Sequence, residues 1–295
     1  MKLELFLEKM YEKNYKRFIF ISLGLLVLSL VILGINYASK GSVIERDISL
    51  KGGISITIEK ESLDEQEISS YLNEKFANIN VRTLTDLSSR KSIGLIIESS
   101  DINENELRSA LEEKISFTDS QYSSESYSSS FSESFYRQLA LTLLFAFILM
   151  AIVVAVTFRT LIPSLAVILA ALTDIVATLA LLSLFGFHLS AGGIIALLLI
   201  MGYSIDTDVL LTTKLIKRKI GTLYERLAQS VKTGLTMTLT SLIAVFIGYL
   251  FSAASVLKEI FLIIFIALMF DIITTYIGNA SILIWHLRNK KNEAG

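Results

Sequence analysis

The stretch LLLIMGYSIDTDVLL, residues 197–211, is an apolar run that carries two carboxylates, Asp206 and Asp208. An apolar segment of about 20 residues is long enough to span a bilayer as a helix. A charged Asp at the centre of such a helix costs about 2.5–3.5 kcal/mol on insertion scales, so an acidic residue there indicates a function. The stretch therefore predicts a spanning helix whose carboxylates have a task.

The composition of the whole chain is that of a polytopic membrane protein. Of its 295 residues 53% are hydrophobic, and Pro163 is the single proline. The mean hydropathy is +0.60. Charge is segregated, since residues 40–137 carry a net −7 and the remainder a net +6. Cysteine is absent, which excludes disulfides and thiolate metal sites. A membrane protein with one acidic polar insert follows from these features.

Apolar runs of spanning length predict six transmembrane helices, at residues 18–38, 138–158, 163–185, 190–212, 235–252 and 259–286. Lys and Arg flank the ends that the positive-inside rule assigns to the cytoplasm. The prediction is a multi-pass protein of the plasma membrane with both termini cytoplasmic. Its segments are a cytoplasmic terminus 1–17, transmembrane helix 18–38, an external domain 39–137, a five-helix bundle 138–286 and a cytoplasmic tail 287–295.

The polar insert contains an internal repeat with an offset of 39 residues, between 54–76 and 93–115. Each copy has alternating apolar residues typical of a strand, then a helix start signal, Ser62 in one copy and Asp101 in the other. An amphipathic helix and a further strand-like stretch follow, near 79–85 and 116–122. The order βαββαβ predicts an external α+β domain of the ferredoxin-like type between transmembrane helices 1 and 2.

Two segments at the borders of this domain are predicted to be connections. Residues 120–134, SQYSSESYSSSFSES, are rich in serine and are predicted to form a flexible link, either a pivot or a plain tether; an edge strand is the other interpretation. Gly52 and Gly53 lie where the chain from the first span turns into a strand, which indicates positive φ or a close backbone approach.

Acidic residues recur within the predicted spans. Asp174 and Asp271 lie near mid-bilayer, whereas Asp206 and Asp208 lie towards the cytoplasmic end of their helix. Small and hydroxyl residues one turn from Asp174 and Asp271 mark faces that contact other helices. Residues two apart point to nearly opposite sides of a helix, so Asp206 and Asp208 are not expected to act side by side. No Lys or Arg lies within spans three to six to pair with them.

The cost of neutralising such an Asp is comparable with that of burying it charged, so its protonation state can follow its hydration. These residues are thus candidates for a proton or cation relay, with Asp206 first. The alternative is a permanently protonated Asp hydrogen-bonded to Thr or to backbone carbonyls.

The stretches GYSIDTDVLLTTKLIKRK, residues 202–219, and KTGLTMTLTSLIAVF, residues 232–246, resemble the archaeal form of the SecF family of protein-export membrane proteins. The similarity extends over nearly the whole chain and includes LKGGISI at the start of the external domain. Gly202 and Gly234, inside the two stretches, are predicted to be hinge or packing positions.

The resemblance implies a non-enzymatic accessory of the Sec translocase that pairs with a SecD-like paralogue in a twelve-helix unit of the resistance-nodulation-division type. Expected partners are the SecYE channel, the translocating polypeptide and the lipid bilayer, with no cofactor, metal or nucleic acid. It also implies use of the proton gradient, with Asp206 at the SecD-like position. The sequence departs from the bacterial pattern, since Thr207 stands at the bacterial SecF Asp and Met237 replaces an Arg.

Three other hypotheses remain open at this point. The chain could be a SecF-type scaffold for the export channel without proton coupling. It could be a solute or lipid transporter of the same superfamily, although six spans are half of that architecture. An intramembrane aspartyl protease with Asp206 and Asp271 as its dyad is the third hypothesis, which the absence of a Gly-x-Gly-Asp signature disfavours.

Overall fold

The computed structural model describes residues 2–60, 63–77, 79–85, 92–100, 102–218, 220–252 and 255–293. Two compact units divide the chain. One comprises Met1–Glu45 and Leu141–Gly295, and the other comprises Arg46–Ala140. In the described residues the helices are α1 (Lys2–Lys40), α2 (Ile48–Lys51), α3 (Glu65–Lys75), α4 (Glu104–Lys114), α5 (Ser129–Phe158), α6 (Leu161–Leu184), α7 (Ala191–Thr212), α8 (Leu223–Phe251), α9 (Ser255–Ile273) and α10 (Ala280–Glu293).

Six helical stretches of the described chain are long and apolar enough to cross a membrane. Short π-helical segments at Thr213–Lys217 and Thr274–Asn279 continue α7 and join α9 to α10. The resulting stretches are Leu3–Lys40, Phe131–Phe158, Leu161–Leu184, Ala191–Lys217, Leu223–Phe251 and Val256–Lys290. Each of them overlaps one of the six predicted spans, so the chain is a multi-pass, mostly helical protein, and its described residues include a small antiparallel sheet.

Three of these helices begin many residues earlier than the apolar runs predicted, and one of them is α5, which starts at Ser129 rather than at 138. Helix α1 starts at Lys2 rather than near residue 18, and α8 starts at Leu223 rather than at 235. Thr222 caps α8, because its hydroxyl accepts from the backbone N–H of Glu225 at 3.1 Å while the Glu225 carboxylate accepts from Thr222 N at 2.8 Å. Hydropathy did not predict the first turns of these helices, because those turns contain polar residues that precede the apolar stretch.

The second unit is a four-stranded sheet with helices between its strands. The strands are β1 (Gly53–Ile58), β2 (Ile79–Thr85), β3 (Ser92–Ser99) and β4 (Tyr122–Tyr127). Helix α3 lies between β1 and β2 in the chain, and α4 lies between β3 and β4. The order across the sheet is β2-β3-β1-β4, and all neighbouring strands are antiparallel.

Both copies of the sequence repeat contribute to the core of this sheet. Ile56 and Ile58 of β1 pack with Leu95 and Ile97 of β3, and all four side chains are buried. The buried helix residues in the same core are Ile68, Leu72, Leu107, Ala110 and Leu111. The side chains that face the core are therefore those that strand alternation and helical spacing predicted to be buried.

The two helices of the repeat begin later than the start signals indicated. The first N-cap is Asp64, whose carboxylate accepts from Gln66 N at 2.9 Å, and the second is Asn103. The predicted signals, Ser62 and Asp101, lie outside the described residues. Asp is as good an N-cap as Ser, so the local sequence offered two start sites for the first helix.

Of the two interpretations of the serine-rich segment 120–134, the edge strand is confirmed for residues 122–127, and the flexible link is wrong there. Tyr122–Tyr127 form the edge strand β4, which pairs with β1 from Gly53↔Tyr127 to Ile58↔Tyr122, and α5 begins at Ser129. Hydrogen bonds to β1 come from the backbone, so an edge strand can form without apolar side chains. The observed strand, Tyr122–Tyr127, therefore lies several residues later in the chain than the strand predicted near 116–122.

The glycine pair at the start of β1 has an unusual backbone. Gly52 has φ +83° and Gly53 has φ +131°. A Cβ atom on Gly53 would approach Ser99 O and would lie 2.8 Å from Ser100 Cα. Both requirements that the sequence suggested, positive φ and close backbone approach, occur together at Gly53.

A buried acidic residue lies on the sheet face opposite the core. Glu98 alternates with Ile97 along β3, is buried, and accepts hydrogen bonds from Arg82 and, at 3.5 Å, from Asn80 Nδ2. Burial raises the pKa of the Glu98 carboxyl above its ordinary value; Arg82 acts in the opposite direction, and Asp47 raises the pKa further. Burial is the larger effect because desolvation disfavours the charged form.

We expect the pH dependence of this unit to follow Glu98. Its pKa is higher in the folded than in the unfolded chain, so the stability contribution is fully present below about pH 4.5 and is lost as pH rises through the raised pKa. In the full chain, hydrogen exchange of β3 amides, corrected for intrinsic rates, would report a free energy of opening that falls with pH relative to Glu98→Gln. Parallel pH profiles for the two proteins would contradict this assignment.

Candidate functional site in the membrane helices

Three of the four predicted carboxylates are buried inside the helix bundle. Asp174 of α6 is 1% exposed, and Asp208 of α7 and Asp271 of α9 are 0% exposed. Helices α6, α7 and α9 all contact one another, and the carboxylates interact electrostatically. Small neighbours such as Ala170, Ala171 and Ala267 are buried around them, which permits the close approach of the helices.

Hydroxyl groups from two other helices hold Asp174. Ser204 Oγ donates to Asp174 Oδ2 at 2.6 Å, and Thr274 Oγ1 donates to Asp174 Oδ1 at 2.5 Å. The Thr274 hydroxyl also lies 3.1 Å from the carbonyl oxygen of Phe270 in its own helix. Because a hydroxyl has one proton to donate, Thr274 can serve either the carboxylate or its own backbone.

Asp271 is held in the same manner. Thr207 Oγ1 lies 3.1 Å from Asp271 Oδ1 and 3.2 Å from Oδ2, and Thr275 Oγ1 donates to Oδ1 at 3.2 Å. Thr275 also neighbours Asp208. Ser204 and Thr207 are three residues apart on one face of α7, so this face serves Asp174 and Asp271 together.

Asp208 has a different partner. Asn279 Nδ2 donates to Asp208 Oδ1 at 2.8 Å, and both side chains are buried. In sequence order the three carboxylates thus come from α6, α7 and α9. In space they form a polar group linked by Ser, Thr and Asn side chains, which we call the carboxyl cluster (Asp174, Asp208 and Asp271).

A π-helical segment supplies three side chains around this cluster. Thr274, Thr275 and Asn279 all belong to Thr274–Asn279, and π segments inside helices occur frequently at functional sites. The same segment is fixed from outside. The Tyr11 hydroxyl donates to the Tyr276 carbonyl, and a Cβ atom on Gly234 would collide with the Tyr276 hydroxyl. Gly234 therefore lies at a helix contact, and sequence patterns gave no indication of the π segment.

Asp206 lies apart from the carboxyl cluster. Its side chain is exposed, as expected for a residue two positions from the buried Asp208. Gly202, one turn before it, has no atom within 4 Å of where a Cβ would stand. The exposed side of α7 runs along Ile195, Leu199, Gly202 and Asp206, which we call the α7 stripe.

A signal for the orientation of α7 was present in the sequence. One turn on either side of Asp208 are Ser204 and Thr212, whereas one turn on either side of Asp206 are Gly202 and Leu210. Hydroxyl neighbours mark a helix face that contacts other helices. The same test that oriented Asp174 and Asp271 would therefore have selected Asp208 over Asp206 as the third inward carboxylate.

The chemistry available to the cluster is that of proton or cation exchange. The hydrogen-bond partners found for its carboxylates are Ser, Thr and Asn side chains. Within the described ranges no group of three or more His, Cys, Asp or Glu side chains could hold a metal ion. The proposed protease dyad is not formed, since Asp271 is enclosed among hydroxyls and Asp206 is exposed.

Six helices that can span a membrane, an antiparallel sheet unit that follows the first of them in the chain, and a buried group of carboxylates define a multi-pass membrane protein with ionisable groups inside its helix bundle. The family described as "Protein export membrane protein SecD/SecF, C-terminal" matches residues 107–289. The chain belongs to the SecF family of protein-export membrane proteins. It is accordingly a non-enzymatic protein with a role accessory to Sec export, and the protease hypothesis is wrong.

Relatives support this assignment over nearly their whole length. The chain is 34% identical to SecF of Methanolacinia petrolearia, over 92% of this chain and 94% of that protein. It is 34% identical to SecF of Methanocaldococcus jannaschii, over 93% and 96% respectively. It is 33% identical to SecF of Pyrococcus furiosus, over 97% and 96% respectively.

Solved structures have a similar fold. SecDF of Thermus thermophilus, described as a translocon-associated membrane protein, superposes with a TM-score of 0.74 at 21% identity, over 94% of this chain. SecDF in its super-membrane-facing form superposes with a TM-score of 0.55 at 20% identity, over 96% of this chain. The chain spans 38% of the first SecDF chain and 39% of the second.

Proposed function

We propose that this chain is an accessory subunit of the Sec translocase that works with a SecD-like six-helix partner and draws on the proton gradient through its carboxyl cluster. Its membership of the SecF family supports the export role. The observation that carries the coupling is the burial of three carboxylates among hydroxyl and amide side chains in one chain. A buried ionisable group inside a membrane bundle is expensive and is a default candidate for ion movement.

The relay would pass through hydroxyl groups. Thr275 neighbours both Asp271 and Asp208, and Ser204 lies on the same α7 face as the Thr207 that holds Asp271. A proton entering at one carboxylate would then reach the next through short hydrogen-bonded steps. Each charge that moves across 100 mV releases about 2.3 kcal/mol, which is enough to bias a conformational change.

The SecD-like partner would cover the α7 stripe. Asp206 is exposed on a helix that is long and apolar enough to span the bilayer, and a carboxylate that faced lipid would be costly. Gly202 leaves open space beside it for a second helix to approach. The superposition with SecDF, whose name combines SecD and SecF, covers 38% of the SecDF chain. The rest of SecDF would have room for a SecD-like part.

We further propose the topology that the sequence predicted. Both termini would lie in the cytoplasm of the cell, the five-helix bundle in the plasma membrane, and residues 39–137 outside. The βαββαβ order and the sheet order β2-β3-β1-β4 support a ferredoxin-like domain. That domain would engage polypeptide that emerges from the SecYE channel.

The relay is tested by two substitutions that separate the cluster from the α7 stripe. Export of a secreted reporter is measured in cells with and without a protonophore. With the variant Asp271→Asn, export should fall to the level of protonophore-treated wild type and should no longer respond to the protonophore. If Asp271→Asn keeps the full response and Asp206→Asn loses it, the relay runs through Asp206 and the cluster assignment is wrong.

A structural role without proton movement is the second candidate function. Both oxygens of Asp174 already accept hydroxyl hydrogen bonds, which is the arrangement expected of an acid that holds helices together. In that case Asp271→Asn would lower the amount of assembled protein while export per complex stayed sensitive to the protonophore.

The partnership is tested separately by mild extraction of the tagged chain from native membranes and mass spectrometry of the proteins that copurify. A six-span SecD-like protein is expected with the wild type, and bulky Gly202→Leu should reduce its recovery. If the chain is recovered alone or as a homodimer, the transporter hypothesis gains over the export partnership.

A further inference from the structure

The first helix begins with a segment that precedes its apolar run. Residues 3–17 of α1 carry acidic and basic side chains, whereas residues 18–38 carry none. We call residues 3–17 the amino-terminal strap. Its side chains Leu7 and Tyr11, one turn apart, are at most 4% exposed and pack among apolar residues of α7, α8 and α10. The strap is therefore part of the helix bundle.

Polar contacts fix the strap to the start of α8 and to α10. Thr222, the N-cap of α8, donates its hydroxyl to Glu4 Oε1 at 3.2 Å. Arg288 of α10 donates through Nη1 to the carbonyl oxygen of Glu12 at 3.1 Å, and its guanidinium lies 5.2 Å from the centre of the Tyr15 ring. A cation at this distance from an aromatic ring is attracted to it. Two other helices thus hold the strap along its length.

The same face of α1 contacts the π-helical segment Thr274–Asn279 at two levels. The Tyr11 hydroxyl donates to the carbonyl oxygen of Tyr276. Further along α1, Ser22 packs against Gly278, because a Cβ atom on Gly278 would lie 2.9 Å from Ser22 Cβ. Residues 11 and 22 share one side of the helix, since eleven residues complete about three turns. One face of α1 therefore runs along the π segment.

The π segment needs a fixed geometry because it presents side chains to the carboxyl cluster. Its residues Thr274, Thr275 and Asn279 each hydrogen-bond to a carboxylate of the cluster. A side chain that inserts into an interrupted helical ladder is one of the recognised causes of irregular helix geometry. Tyr11 fits this description, since a buried phenol hydroxyl usually finds a hydrogen-bond partner and here the partner is the backbone of the segment.

We propose that Tyr11 is a positioning residue for the carboxyl cluster. Its hydroxyl holds the π segment in the geometry that directs Thr274, Thr275 and Asn279 towards the carboxylates. The contacts of the strap with α8 and α10 keep Tyr11 in register with Tyr276. The inference deepens the proposed coupling by naming what sets the geometry of the site, and it rests on that proposal only for its effect on export.

Hydrogen exchange of the full-length chain in nanodiscs measures the geometry of the π segment without an export assay. Mass spectrometry follows peptides that cover residues 270–284. Tyr11→Phe removes the hydroxyl and keeps the ring, so the packing of the strap is retained. Loss of one hydrogen bond should speed exchange in the π segment about two- to tenfold. Exchange of the strands β1 and β3 is the internal reference and should not change.

Carbodiimide modification gives a second readout, which loss of packing elsewhere would not move. The reagent reacts with protonated carboxyl groups, and peptide mapping locates the product on Asp208 or Asp271. At a fixed pH, Tyr11→Phe should raise the rate of modification about two- to tenfold, because the reagent reaches these carboxyls through the same local opening. Thr275 and Asn279 then no longer cover the carboxyl oxygens.

Matched variants test whether the effect belongs to the Tyr11 hydroxyl. Tyr15→Phe removes a hydroxyl from the next turn of the strap, keeps the ring beside Arg288, and should leave both rates unchanged. Arg288→Gln removes the contact of the strap with α10. The described contacts of Arg288 are with Glu12, Tyr15 and Tyr224 rather than with the π segment, so this variant should give the Tyr11→Phe pattern more weakly. Size-exclusion profiles identify variants that have failed to fold, and Arg288→Gln carries the test if Tyr11→Phe is one of them.

Two results would overturn the proposal. One is an unchanged rate of exchange and of modification in Tyr11→Phe. The other is an equal acceleration in all the helices, or the same acceleration in Tyr15→Phe, which would assign the effect to a general loss of packing. Export is compared separately. If the π segment of Tyr11→Phe opens as expected while its export keeps the full protonophore response, the positioning holds and the proposed coupling is wrong.

Discussion

Leu111→Ala should destabilise the sheet unit by about 2–5 kcal/mol, which is the usual cost of removing a buried leucine side chain. Leu111 is fully buried between α4 and the sheet and belongs to the core that both repeat copies build. Ile97 and Leu72 belong to the same core and are also fully buried, and such close-packed side chains collapse only partly into a new space. Hydrogen exchange of β1 and β3 amides in the full chain would measure the loss.

The control for this variant is Ser109→Ala, two residues away on the exposed side of α4. Its hydroxyl donates to the carbonyl of Asn105 in its own helix at 2.7 Å. A surface change of this kind usually alters stability by less than about 0.5 kcal/mol. Equal effects of the two substitutions on strand protection would mean that the core is not where the packing indicates.

Gly53→Ala should destabilise the same unit by about 2–6 kcal/mol, because two costs of about 1–3 kcal/mol each coincide. Gly53 has φ +131°, a backbone angle that residues with a side chain rarely adopt. The added Cβ would also press on the Ser99–Ser100 backbone. Since Ile54 pairs with Ser99 next to this contact, relief of the contact would loosen the pairing of β1 with β3 at that end. Protection of β1 and β3 amides in the full chain is the measurement.

A further glycine of the same sheet isolates one of the two costs. Gly94 lacks positive φ, but its Cβ would collide with the Ile58 carbonyl, so Gly94→Ala carries the steric cost alone. If Gly53→Ala proves no more damaging than Gly94→Ala, the backbone cost does not add to the steric cost at Gly53.

Several features of the fold could be predicted because they depend on local sequence. Spanning helices follow from the length of apolar runs, and the inward positions of Ile56 or Leu111 follow from periods of two and 3.6 residues. The boundaries were less accurate. Polar turns extended α1 and α8, and Asp64 replaced the expected capping signal, because several nearby residues can end or start a helix at similar cost.

The serine-rich segment shows a limit of composition. Its serines predicted a link, yet residues 122–127 pair with β1 along the whole strand. Whether a polar segment becomes an edge strand depends on the presence of an unpaired neighbour with free backbone groups. That neighbour is more than 60 residues away in the chain, so no local pattern could reveal the pairing.

The sequence by itself determined the class of protein, the six spans, the repeat and the presence of acidic residues without basic partners inside the membrane. Only the tertiary structure decided that Asp174, Asp208 and Asp271 meet, and that Asn279 holds Asp208. The physical reason is that hydropathy and periodicity report the environment along one helix. The distance between side chains on different helices depends instead on how α6, α7 and α9 are rotated and packed, and on a π segment that changes the direction of every residue after it.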